Sequence, residues 1–125
     1  MKSVTTTKAP AAIGPYSQAM IVDRWVFVSG QLGIEPVSGQ LRASFGEQVR
    51  QALANLEAIL FEAGARLSNV VKCTVYLTDL DRFAEFNAIY ESVFEKPWPA
   101  REVVQVVRLP RGAEVEISAV AFLSP

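Results

Sequence analysis

FGEQVRQALANLEAILFEA (45–63), followed after a short break by VKCTVYLT (71–78), is the stretch on which the fold turns. In the first segment Phe45, Val49, Leu53, Leu56, Ile59, Leu60 and Ala63 recur at helical spacing, and Ala52 widens the stripe. Ser44 stands where an N-cap is needed, Glu47 follows three residues later, and Gly64 supplies a left-handed stop. In the second segment Val71, Cys73, Val75 and Leu77 alternate with Lys72, Thr74, Tyr76 and Thr78, the pattern of a half-buried strand. A helix that hands over to a strand in this way predicts a crossover, and so a sheet with helices layered on it.

Working outward, Trp25–Ser29 is short, β-branched and aromatic, and Tyr16–Val22 precedes it across a turn at Asp23-Arg24. The opening to about Pro15 reads as an extended arm. Residues 30–39 read as a loop with room for one short strand, and Gly30 and Gly33 as turn glycines. Downstream, Asp79 or Asp81 caps a second helix to about Phe94, striped by Phe83, Phe86, Ile89, Tyr90 and Val93. Pro97 and Pro99 end it. Arg101–Val107 and Ala113–Phe122 are the last strands, joined by a turn at Leu109–Gly112. The order ββ-α-β-α-ββ predicts an α+β fold in one domain, residues 1–125, with both helices on one face of a mixed sheet. The other face is expected to carry Val26, Val28, Val103 or Val104, and Val107, mixed with Arg101, Gln105, Glu114 and Glu116. So apolar a face reads as a subunit interface.

Composition narrows the chemistry. The 125 residues include 12 Lys+Arg, 13 Asp+Glu, one cysteine and no histidine, for a net charge of −1. Without histidine there is no Ser-His-Asp or Cys-His constellation, no histidine base and no histidine-ligated metal. One cysteine allows neither an internal disulfide nor a thiolate cage. No dense basic run marks a nucleic-acid footprint. No apolar run approaches the roughly 18–20 residues of a membrane span. The start, MKSVTTTKAPAAIGPY, has no apolar signal core, so a cytoplasmic location is expected. Chemistry must come from carboxylates, Arg, Lys, Tyr, hydroxyls or backbone groups.

In the last strand Glu114, Glu116, Ser118 and Val120 oppose the apolar set Val115, Ile117, Ala119 and Ala121. The apolar set must face the helices, so Glu116 points to the interface face, where an unpaired carboxylate is costly. Arg101 opens the preceding strand. The two read either as a structural ion pair, or as a guanidinium clamp for a carboxylate beside a general base. Tyr16 fits a subunit seam or a site equally well. Asn87 fits structural hydrogen bonding or a site, Cys73 a buried core thiol, and Trp25 and Trp98 packing.

These residues also fall into a known order. AAIGPYSQ (11–18), VSGQ (28–31), QALANL (51–56), VKCTVYL (71–77), FNAIY (86–90), PAR (99–101) and VEI (115–117) span nearly the whole chain. In these motifs the sequence resembles the RidA (YjgF-type) family, also labelled endoribonuclease L-PSP or translation inhibitor. The resemblance implies a chorismate-mutase-like fold and a homotrimer with sites between subunits. It implies metal-free, cofactor-free hydrolysis of short 2-imino acids to 2-keto acids and ammonia, which protects pyridoxal-phosphate enzymes. By resemblance Arg101 binds the substrate carboxylate and Glu116 positions the attacking water, while Tyr16, Ser29, Gly30, Asn87 and the backbone of Val103 line the cleft. Three positions depart from the deaminating members, which usually have a small residue and a cysteine where Glu102 and Val103 stand and commonly a small residue where Val107 stands. A non-catalytic, carboxylate-binding or chaperone-like trimer is the alternative those departures favour; RNA cleavage would need a histidine or basic stripe that the chain lacks.

Overall fold

A computed structural model describes all 125 residues. Six strands form one mixed sheet: β1 (Lys2–Val4), β2 (Ala19–Val22), β3 (Trp25–Leu32), β4 (Val70–Leu77), β5 (Ala100–Gln105) and β6 (Val115–Phe122). Their spatial order is β1-β2-β3-β6-β4-β5. Helix α1 (Phe45–Glu62) crosses from β3 to β4, and α2 (Phe83–Val93) from β4 to β5. Both pack on the same side, where Val26, Val28, Val75, Val115 and Ile117 join their apolar stripes in one buried cluster.

The expected local signals operate. The Ser44 side chain accepts from the Glu47 N–H and the Glu47 carboxylate accepts from the Ser44 N–H, closing a capping box, worth about 1 kcal/mol. Asp79, however, caps a short 3₁₀ turn (Leu80–Arg82) and not α2 itself, whose N-cap position falls on Arg82 without a side-chain hydrogen bond. Cys73 is fully buried, and burial pushes its thiol pKa up.

Several expectations need correction. The opening arm contains β1, antiparallel to β2 with Val4 opposite Ala19; three residues are too few for a period to show. β2 begins only at Ala19, because the Gln18 side chain folds back on Thr6 and Pro10 and ties down the incoming chain. β3 runs on through Gly30 to Leu32, so the loop begins only at Gly33, and beyond it stands an isolated Ile34–Leu41 bridge. β5 stops at Gln105, and β4 lies between it and β6.

The largest correction concerns faces. Val26 and Val28 pair with Ala121 and Ala119 and lie on the helix side, so Trp25 and Phe27 occupy the open one. Arg101 pairs in register with Cys73, and Val103 with Val75. Paired residues share a face of the sheet, so Arg101 and Val103 also lie on the helix side. Glu102 lies on the open side, where Lys72 holds it at 2.7 Å and keeps its carboxyl pKa below the ordinary value.

Candidate functional site

The sheet separates the candidate residues into two groups. At the β5 edge, the Arg101 guanidinium emerges under α2. Its Nη1 donates to Asn87 Oδ1 at 2.7 Å, and its Cζ lies 4.8 Å from the centre of the Tyr90 ring. Asn87, Tyr90, Glu91, Trp98, Pro99 and Arg101 line a shared pocket there, and Glu91 makes no ion pair with Arg101. None of the chain's ion pairs involves Arg101. A half-buried cation with unused N–H donors and no acid partner is chemically suited to hold an anion.

The backbone adds to this corner. β5 is an edge strand, and the Val106 N–H donates to Leu77 O at 2.8 Å. Peptide groups alternate sides along a strand, so the N–H and C=O of Gln105, Val103 and Arg101 point away from β4, over the free edge. The Val103 side chain packs against the core; only its backbone is presented. Glu102, on the opposite face, adds no negative charge to the corner.

The second group lies on the open face. Tyr16, Ser29, Gly30 and Glu116 line one cleft, together with the 36–39 loop and Arg111. A bulge in β3 builds it: Val28 opposes Ala119 but Gln31 opposes Ile117, so Ser29 and Gly30 together take the space of one residue. Ser29 Oγ donates to Ser17 O at 2.6 Å, anchoring the segment that carries Tyr16. Gly30 lies directly against Glu116: a methyl group on its Cα would sit 2.7 Å from Glu116 Cδ. Gly30 and Gly33 lack the left-handed φ of turn glycines, and close approach is what requires them, Gly33 abutting the backbone of Gln48. The Glu116 carboxylate forms no ion pair, and burial raises its pKa. A raised carboxylate is the better base.

Tyr90, Trp98 and Arg111 also line these sites, although the sequence offered Tyr90 and Trp98 as packing residues and Arg111 as part of a turn. Tyr90 had a signal: it lies three residues beyond Asn87 and shares its side of α2.

A small mixed sheet with two helices on one face, an unpaired guanidinium at one edge and an unpaired carboxylate on the open face defines a class of α+β protein whose chemistry rests on those two charges. The chain belongs to the Endoribonuclease L-PSP family, the RidA or YjgF-type proteins, which it matches over residues 6–123. It is 52% identical over 125 residues to the 2-iminobutanoate/2-iminopropanoate deaminase of Mus musculus, covering 99% of this chain and 93% of the relative. RidA of an Antarctic Psychrobacter superposes with a TM-score of 0.97 at 44% identity, covering 98% of this chain and all of the other. Escherichia coli TdcF with bound serine superposes with a TM-score of 0.96 at 39% identity, covering 99% of this chain and 100% of that one.

Proposed function

We propose that this protein is a 2-iminobutanoate/2-iminopropanoate deaminase, hydrolysing short 2-imino acids to 2-keto acids and ammonia as a cytoplasmic homotrimer. The observation that carries the reading is the pair of unmatched charges. Arg101 has no acid partner and Glu116 no base partner within the chain. Because they lie on opposite faces of one sheet, a second copy packed on the open face is what joins them. The exposed Phe27, Trp25 and Val104 supply the apolar surface for that packing.

In the assembled site Arg101 holds the substrate carboxylate, seconded by the free Val103 N–H. Asn87 fixes the guanidinium. Glu116 accepts a proton from water as its oxygen attacks the carbon of the protonated imine, then passes that proton to the nitrogen, so the resulting carbinolamine carries an ammonium group and Glu116 is again a carboxylate. Its C–N bond then breaks as the hydroxyl gives up its proton, and ammonia and the 2-keto acid leave. Reaction through water and these side chains alone calls for no metal or cofactor. Imines hydrolyse unaided, so positioning and one general base suffice. A single guanidinium per site suits a small monoanion better than RNA, whose binding needs many phosphate contacts. TdcF, a structural neighbour, holds serine, a small carboxylic acid. Removing such imines protects pyridoxal-phosphate enzymes from them.

The test generates 2-iminobutanoate with an amino-acid oxidase and traps what remains with semicarbazide. Wild-type protein is expected to lower the trapped fraction, and Arg101→Ala and Glu116→Ala to leave it unchanged. A wild-type trimer without effect would leave a carboxylate-binding role for the same residues.

A further inference from the structure

Arg101 is held in an unusual way for a half-buried arginine, and the means lies on one face of α2. We propose that Tyr90, with Phe83 and Phe86, is the positioning device for Arg101, an aromatic cradle in place of the usual carboxylate counter-ion. The proposal rests on the reading of Arg101 as the group that binds substrate carboxylate.

Phe83, Phe86 and Tyr90 stand at i, i+3 and i+7, the spacing of one helix face. Their ring centres lie 5.6, 5.8 and 4.8 Å from the Arg101 Cζ, within reach of a cation–π attraction. Tyr90 is the nearest and the most firmly held. It is 4% exposed, with the Phe86 and Phe94 ring centres 5.6 and 4.5 Å away on α2 and just beyond it. Its buried hydroxyl faces the Cys73 thiol and makes no hydrogen bond to Arg101, so what the residue turns toward the guanidinium is the ring.

The choice of ring over acid has a chemical consequence. A carboxylate would fix Arg101 by occupying its N–H donors and cancelling its charge, and would then compete with any bound anion. A ring face attracts the cation and takes no N–H. Of the five guanidinium donors, one goes to Asn87. The remainder stay open for the two oxygens of a planar carboxylate.

The experiment uses the full-length trimer and 2-oxobutanoate, the product, as a stable carboxylate probe, with its Kd measured by calorimetry alongside imine turnover. Tyr90→Phe keeps the ring and is expected to bind within about twofold of wild type. Tyr90→Leu is expected to weaken binding about tenfold, while turnover at saturating imine stays within about threefold. In an Arg101→Gln background the same Tyr90→Leu change is expected to add nothing, because the cradle then has no cation to hold. Wild-type binding by Tyr90→Leu, or an equal loss in Tyr90→Phe, would overturn the cradle. If Tyr90→Leu shows no cooperative melt, Phe83→Leu on the exposed rim decides: a two- to threefold weaker Kd supports the cradle and an unchanged one overturns it. Wild-type protein that binds 2-oxobutanoate but does not turn over imine refutes deamination alone, and the variants' Kd values still decide the cradle. Absence of binding by wild type overturns both.

Discussion

The Arg101 corner and the Glu116 cleft belong to one sheet but are built on opposite plans. Arg101 is braced by a hydrogen bond, three rings and its strand. Glu116 has neither ion pair nor counter-charge, and is pressed against a glycine in a bulge. The first arrangement fixes a direction, which recognition of a planar carboxylate needs. The second raises basicity, which activation of water needs. In the proposed site each needs the other, and the sheet that carries both also holds them apart.

Mixing experiments test that separation most severely. The Arg101→Ala and Glu116→Ala variants are each expected to be inactive. Unfolded together and refolded as an equal mixture, they are expected to recover about a quarter of wild-type activity, since one interface in four then pairs an intact Arg101 with an intact Glu116. No recovery would mean that both groups act from one chain. Next in size is Gly30→Ala: its methyl has no room beside Glu116 Cδ. A displacement of that kind costs on the order of a hundredfold in kcat/KM, and the melting temperature is expected to change little, because the Gly30 backbone is not left-handed.

A smaller effect is expected in the pH dependence. Burial raises the Glu116 pKa above its ordinary 4.5, whereas an arriving guanidinium would lower it. NMR titration is expected to find Glu116 titrating higher in the Arg101→Gln variant than in wild type. With the folded value raised, the stability linked to protonated Glu116 is fully present below 4.5 and is lost as pH rises through the folded value. The Arg101→Gln variant is therefore expected to melt progressively earlier than wild type across that window. Identical titrations would mean that the two charges do not meet. The smallest effect is expected of Glu102→Gln, whose partner is Lys72 on the face away from Arg101. Turnover and melting temperature are expected to match wild type; a marked loss of activity would place Glu102 in the site.

Much of this could be read from single residues. The stripes of α1 and α2, the alternation of β4 and β6, and the capping pair Ser44 and Glu47 are local patterns, and each produced its element. The outward direction of Glu116 followed from the wholly apolar set Val115, Ile117, Ala119 and Ala121. β5 was harder, because Arg101-Val103-Gln105 and Glu102-Val104-Val106 both mix polar with apolar residues. Neither set declared itself the buried one. β3 misled for the opposite reason: Val26 and Val28 alternate with Trp25 and Phe27, and both sets are apolar.

What the sequence alone determined is the set of elements, the face of Glu116 and the classes of chemistry closed to a chain without histidine. Those depend on the period of a helix or strand and on the side-chain inventory, which are properties of neighbours along the chain. Tertiary structure decided that β4 separates β5 from β6, that Arg101 falls in register with Cys73 beneath α2, and that a bulge seats Gly30 against Glu116. These depend on which strands pair and at what offset. A one-residue shift in pairing would exchange every face while leaving the local pattern unchanged, so contacts between distant residues had to choose.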